Sequence, residues 1–225
     1  ASKKNNTTRS NSDYDYGIEN GEMTIFEYLG AGGKITIPDT LGGKPVTVIA
    51  EEAFAENEHI TEVTIPDSVV YIGDWAFEEC INLSKINLGA GLIGVGEYPL
   101  DSCEKLTEIN VSQNNPVFSS KDGVFFDKSQ STLLLYPQGR IGAYQIPDSV
   151  TSIYDWAFDE SIHLSAVSIP DSVTYIGEGA FSCCERLSKI IIPAEVAVLR
   201  EWTFDGCEAL SAIYFAGNAP QIQGA

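Results

Sequence analysis

The chain repeats itself every 23 residues, and this period constrains its fold more than any other feature. Ile169-Pro170-Asp171-Ser172-Val173 leads through Ile176-Gly177 to Ala180-Phe181, Cys184, Leu187 and Ile190. One period later stand Ile192-Pro193, Val196, Leu199, Phe204, Cys207, Leu210 and Ile213. One period earlier stand Ile146-Pro147-Asp148-Ser149-Val150, Ile153, Ala157-Phe158, Leu164 and Val167. A further block carries Ile65-Pro66-Asp67-Ser68-Val69, Ile72-Gly73, Ala76-Phe77, Cys80, Leu83 and Ile86. A fixed period of this length marks a solenoid, in which each unit packs only on its neighbours. Register can be followed through Phe54, Phe77, Leu100, Phe158, Phe181 and Phe204. From Leu100 to Phe158 is 58 residues, so the unit opening near Ile109 is twelve residues longer than the rest.

Each unit opens with a short alternating apolar run. The eight runs are Ile35–Ile37, Val63–Ile65, Ile86–Leu88, Ile109–Val111, Tyr144–Ile146, Val167–Ile169, Ile190–Ile192 and Ile213–Phe215. Two-residue periodicity with β-branched side chains predicts strands. Eight parallel strands stacked at about 4.8 Å would make a sheet roughly 35 Å long. Proline follows five of the eight runs and ends pairing by removing a donor, after which Asp-Ser supplies turn chemistry. A second extended piece such as Val173–Ile176 comes next, and the Ala-Phe segment is too short for more than a turn or two of helix. In the long unit, Asp122–Phe126 and Thr132–Tyr136 flank Asp127–Ser131 and predict a hairpin bulging from the solenoid. Tyr14–Ile18 and Met23–Tyr28 around Glu19-Asn20-Gly21-Glu22 predict another, placed to cap the open N-terminal end of the core. The expected organisation is a disordered tail or linker over 1–12, a hairpin cap over 13–34, and one solenoid over 35–215. That solenoid carries a hairpin insertion at about 115–137, and a C-terminal tail over 216–225 follows.

The formal charge is −19, from 32 acidic and 13 basic residues, and three of the bases lie in the first twelve positions. So negative a surface repels phosphate backbones and anionic lipids, which argues against nucleic-acid and membrane-surface roles. No stretch approaches the roughly 18–20 apolar residues of a membrane span. Four of the five cysteines, Cys80, Cys103, Cys184 and Cys207, occupy one repeat position. Neighbouring units bring such residues to about 5 Å, within disulfide range. Side chains stacked in parallel register seldom reach the disulfide torsion, however, so these are read as buried thiols.

Catalytic signatures are absent. The two histidines, His59 and His163, share one repeat position five residues after a phenylalanine, and no nucleophile motif accompanies them. Asp39, Asp67, Asp148 and Asp171 recur at the Pro-Asp turn, where an aspartate acts as a turn former. No enzyme activity, cofactor or metal site is therefore expected. Informative positions are those the repeat leaves free. The outward residues before each strand include Glu62, Lys85, Glu108 and Lys189, and a cross-strand Glu–Lys–Glu ladder is expected. The next outward column contains Asn87, Asn110, Ile191 and Tyr214; its last two members either form an exposed apolar spot or are covered by further repeats. A third column runs Glu52, Trp75, Tyr98, Trp156, Gly179, Trp202. Its aromatics either shield the core or offer a ladder for sugar rings or a protein partner.

The repeated Ile-x-Ile-Pro-x-x-Val-x-x-Ile-Gly-x-x-Ala-Phe-x-x-Cys pattern resembles the BspA-like, or Treponema-type, leucine-rich repeats, over about residues 30–215. Gly89-Ala90-Gly91 and Tyr98-Pro99-Leu100 depart from it. The resemblance implies a right-handed leucine-rich-repeat β/α solenoid, mostly β, in a secreted or cell-surface bacterial protein. It implies an adhesin-like binding scaffold that meets a host matrix protein or microbial surface protein through its concave sheet, with no nucleic-acid partner and no membrane insertion. Two alternatives stand beside this one: a carbohydrate-binding module using the aromatic column, and a structural spacer in a larger surface protein.

Overall fold

The computed structural model describes residues 9–10 and 13–223. The expected tail at 1–12 lies outside the described residues except for Arg9–Ser10, which pairs antiparallel with Tyr14–Glu19. The chain forms two compact units, Ala1–Phe118 and Ser119–Ala225, and each is a β-solenoid.

In the first unit, Gly33–Thr36, Ile60–Thr64, Lys85–Leu88 and Glu108–Val111 form a four-stranded front sheet in which neighbours pair in parallel. Lys85 faces Glu62 on one side and Glu108 on the other, a 23-residue register that repeats the sequence period. Alternation puts Val63, Ile65, Ile86, Leu88 and Ile109 in the core. In the second unit the front strands form two parallel pairs, Gly142–Gln145 with Leu164–Ser168 and Lys189–Ile192 with Ala212–Phe215. All eight expected strands are present, as one four-stranded sheet and two pairs.

After three of the front strands the chain turns on Pro-Asp-Ser-Val, and after a fourth on Pro193-Ala194-Glu195-Val196. The amides of Val69, Val150, Val173 and Val196 donate to the carbonyls of Pro66, Pro147, Pro170 and Pro193 at 3.0–3.2 Å, closing four-residue turns. Gly89-Ala90-Gly91 keeps the same path. A β-carbon on Gly89 would lie 2.5 Å from the Pro66 carbonyl oxygen, and one on Gly91 2.0 Å from that of Asp67, so only glycine fits against the preceding turn. The Asp67 carboxylate accepts the Ala90 amide at 2.6 Å and ties the two turns together.

A second column of short strands follows, with Val48–Ile49, Tyr71–Ile72 and Gly94–Val95 paired in parallel in the first unit. A hairpin heads this column. Tyr14–Glu19 and Glu22–Tyr28 pair antiparallel across Asn20 and Gly21, whose φ values of 52° and 91° are those of a tight hairpin turn. Glu22–Tyr28 then pairs in parallel with Val48–Ile49. The second unit begins the same way. Val124–Asp127 and Thr132–Leu135 form a hairpin, and Thr132–Leu135 pairs in parallel with Ser152–Ile153. This hairpin does not bulge outward, because Val124, Phe126, Leu133 and Tyr136 are buried in the core of their unit.

The Ala-Phe segments form no helix; among the described residues there is none. Each makes two tight turns, with left-handed backbone two residues before and two after the phenylalanine, as at Trp75 (φ 50°) and Glu79 (φ 53°) around Phe77. The same pair of positions is left-handed at Glu52 and Glu56, Trp156 and Glu160, Gly179 and Cys183, and Trp202 and Gly206. Left-handed residues interrupt helical bonding and leave alternate amides pointing at the next turn. The amides of Trp75, Phe77 and Glu79 thus donate to Glu97, Pro99 and Asp101, and those of Trp156, Phe158 and Glu160 to Glu178, Ala180 and Ser182.

Inside this edge the phenylalanines stack. Ring centroids are 5.2 Å apart for Tyr28–Phe54 and 4.7 Å for Phe54–Phe77 in the first unit. In the second they are 4.9, 4.8 and 5.9 Å along Tyr136, Phe158, Phe181 and Phe204. The hairpin tyrosines Tyr28 and Tyr136 each take the first place in the stack. All five cysteines are free thiols. The four in register donate to the carbonyl of the phenylalanine one turn back: Cys80 to Phe54 at 3.1 Å, Cys103 to Phe77 at 3.2 Å, Cys184 to Phe158 at 3.3 Å and Cys207 to Phe181 at 3.0 Å. Burial pushes the Cys80 thiol up to about 12, so it stays protonated and keeps its donor.

Ser161 occupies the cysteine position of its turn, is fully buried, and its hydroxyl has no partner among the described residues. Oxygen sits closer to the β-carbon than sulfur does and falls short of the carbonyl. Ser161→Cys is expected to stabilise the protein by about 1 kcal/mol, because it replaces an unsatisfied buried hydroxyl with a bonded thiol. A higher denaturation midpoint at unchanged m-value is the outcome to look for, and an unchanged or lower midpoint would show that the hydroxyl is satisfied some other way.

Candidate functional site

The front strands of the first unit place Glu62, Lys85 and Glu108 side by side, and Asn87 and Asn110 in the adjoining column. The charge ladder is one member longer than expected and pairs differently. Lys34, the residue before Ile35, faces Glu62 and bonds it at 3.0 Å, while Lys85 bonds Glu108 at 2.9 Å. Lys34 was legible in the sequence, since it holds the same place before its strand as Glu62 does before Val63. Its hydrogen bond to Lys34 holds the Glu62 carboxyl below the usual range, and the bond to Glu108 holds the Lys85 ammonium above its own. Beside them Asn87 Nδ2 donates to Thr64 Oγ1 at 3.2 Å, and Asn110 Nδ2 to Asn87 Oδ1 at 3.3 Å. These polar side chains therefore form a mutually bonded lattice on the front of the unit.

The front of the second unit has another character. Ala143 faces Ala166 and Lys189 faces Ala212, so the charge ladder does not continue. Ile191 and Tyr214 face each other on paired strands and are 59% and 56% exposed. Ile213 and Phe215, core positions in earlier turns, are also partly exposed here. These large apolar groups stand at the last two front strands of the unit, and an exposed patch of this kind marks a contact site.

The aromatic column lies at the left-handed position that opens each phenylalanine turn. In the first unit Trp75 and Tyr98 stack at 6.4 Å and 10°. In the second, Trp156 and Trp202 stack at 6.0 Å and 30° across the intervening Gly179. Trp75, Tyr98 and Trp156 are half-buried and Trp202 is 53% exposed, so the column both covers the edge and shows part of its ring surface. The left-handed requirement escaped the sequence reading; its only trace was glycine at Gly179 in one column and Gly206 in the other.

Acidity concentrates on this side. The turn segments 50–59, 73–82, 96–105, 154–163, 177–186 and 200–209 carry 18 of the 32 acids and three of the 13 bases. Burial first, then the nearby carboxylates of Glu79, Glu52 and Glu56, push the Glu78 carboxyl upward. Asp159 is pushed up to about 6, chiefly by burial, against a hydrogen bond from Ser182 that opposes the shift.

The chain matches the family described as BspA type Leucine rich repeat region, in six copies over residues 22–138 and 135–225. It is similar to solved bacterial leucine-rich repeat structures. The Treponema pallidum leucine-rich repeat protein TpLRR is 27% identical, with 96% of this chain and 85% of that one covered and a TM-score of 0.53. A leucine-rich repeat protein from Bacteroides ovatus is 24% identical over 94% of this chain and 53% of that one, with a TM-score of 0.61. The pneumococcal vaccine antigen PcpA is 16% identical over 95% of this chain and 88% of that one, with a TM-score of 0.51. The last two likenesses concern the fold alone. No curated protein matches the chain.

Asp159 yields a pH prediction. Its folded-state value lies above the ordinary carboxylate range, so between about pH 4 and 6 the folded protein holds a proton that the unfolded chain has released. Its ionisation costs stability above pH 6, and that cost disappears as pH falls toward 4. Asp159→Asn is expected to be more stable than the parent at pH 7 by on the order of 1 kcal/mol after solvent screening, with the gap closed at pH 4. Denaturant melts of both proteins across this range check it, and a pH-independent gap would remove Asp159 as the cause.

Proposed function

The chain belongs to the BspA-type leucine-rich repeat family, and from that premise we propose that it is a non-catalytic scaffold that binds a protein partner through its front strands. The observation that carries this reading is the Ile191–Tyr214 pair, two large side chains more than half exposed on adjacent strands beside Lys189. Tyrosine and isoleucine on a rigid sheet anchor a partner with little entropy lost on binding. In the first unit, Glu62, Lys85, Glu108, Asn87 and Asn110 already hold one another in position and offer a preorganised polar surface. The proposed setting is secreted or at a bacterial cell surface, in keeping with the family resemblance. No helix among the described residues is long and apolar enough to cross a membrane.

Immobilised extracellular-matrix and bacterial surface proteins, tested by biolayer interferometry, would reveal the partner. The Ile191→Ala, Tyr214→Ala double variant is expected to weaken binding at least about tenfold, equivalent to 1.4 kcal/mol, with its melting curve unchanged. Binding that survives this double substitution moves the site off the second unit's front strands.

A further inference from the structure

The turn edge of the second unit carries a surface that the front-strand reading does not use. Residues two turns apart in a stack of strands sit about 9.6 Å apart, yet the Trp156 and Trp202 rings are 6.0 Å apart. The intervening turn allows it by giving up side chains. A β-carbon on Gly179 would lie 2.2 Å from Trp156 Cε3, so the indole occupies the space that any other residue there would fill. At Gly177 the same holds for Asp155, whose Oδ1 lies 2.4 Å from where a β-carbon would stand. Asp155 and Trp156 thus lie flat across the turn that follows them.

Their positions are fixed by bonding. Asp155 Oδ1 accepts the Glu178 amide at 3.0 Å and the Tyr175 hydroxyl at 3.2 Å. The Arg200 guanidinium sits 4.8 Å from the Tyr175 ring centroid. Tyr154 precedes Asp155 and is 54% exposed, and Trp202 is exposed to a similar degree. The stacked Trp156–Trp202 pair thus sits beside the Glu178 and Glu201 turns, whose carbonyls accept the Trp156 and Gly179 amides, with Tyr154 one residue before Asp155 and Arg200 on Tyr175.

We propose that this platform, centred on Trp156 and Trp202 with Tyr154, Tyr175 and Arg200 around them, binds a neutral glycan chain. Flat, rigid rings suit the apolar faces of pyranose sugars, and amphipathic rings anchor such contacts at low entropic cost. Sugar hydroxyls need both acceptors and donors, and the adjoining turns carry both kinds in Glu178, Glu201 and Arg200. Charge selects among glycans, since the surrounding carboxylates oppose uronates and sialylated or phosphorylated sugars. A cationic peptide, which the surrounding carboxylates attract, is the competing occupant that the hexalysine control tests. In the first unit the column differs: Trp75 stacks on Tyr98 of the very next turn, with no turn skipped between the two rings.

Two of the three tryptophans belong to the platform, so their emission reports binding. The intact chain is titrated with neutral hexasaccharides of glucose, mannose and N-acetylglucosamine, with polygalacturonate and hexalysine as charged controls. A saturable emission change with at least one neutral sugar is expected. Trp202→Ala should lose it at least tenfold, Trp202→Phe should retain most of it, and Trp75→Phe should leave it unaltered. If Trp202→Ala melts abnormally, Tyr154→Ala takes its place. The proposal is overturned if no neutral sugar saturates, if either charged control binds in preference, or if the folded Ala variant binds like the parent. Ile191→Ala, Tyr214→Ala serves as the control that separates this site from the front strands, and it should bind sugar normally.

Discussion

The amides of Trp75, Phe77 and Glu79 find their acceptors in the next turn, at Glu97, Pro99 and Asp101, and the front strands pair with the same 23-residue offset. Buried backbone groups must be bonded, and in a solenoid without helices the bonds have to come from adjacent turns. A turn of another length would misalign both columns of strands and the phenylalanine edge together. This constraint makes the repeat regular, and it explains why Gly89-Ala90-Gly91 can replace Pro-Asp-Ser only with glycines at the two close approaches.

The stacked phenylalanines and the thiols beneath them belong to the same constraint. Each cysteine satisfies a carbonyl of the turn before it, which leaves sulfur as a small apolar filler with one donor in use. Where the series is broken, other chemistry intervenes. Asn57, at this position in the first turn, accepts the amides of His59 and Ile60 at 3.0 and 3.1 Å. At another position, that of Val69 and Leu92 in their turns, the buried Asn115 donates to the carbonyls of Gly89 and Leu92 at 3.0 and 2.8 Å.

Regular positions build the scaffold, so recognition falls to the positions the repeat leaves open. The two units use them differently. The first spends its outward front residues on one another, in two ion pairs and an asparagine–threonine chain. The second presents Ile191 and Tyr214 at the front and a tryptophan pair at the turn edge. Exposed pairs such as Lys85–Glu108 contribute little stability, so their value lies in holding a polar surface in one arrangement.

The sequence by itself determined the period, the eight front strands, both hairpins and the inward positions, because each follows from local alternation and from the need to bury one face of every strand. It also held the signs of a second beginning: Tyr136 repeats Tyr28, and His163 repeats His59 in a first turn whose carbonyl accepts from Gly142 as that of His59 does from Gly33. Only the tertiary structure decided that the long repeat opens a second compact unit, since a hairpin is placed by the strand it pairs with and by the core it enters. It alone decided that the Ala-Phe segments take left-handed turns instead of helix, because the acceptors for their amides lie 22 residues away along the chain. The partnering of Glu62 with Lys34, and of Trp156 with Trp202 across Gly179, was settled there too: residues far apart in sequence become neighbours only after the turns have stacked.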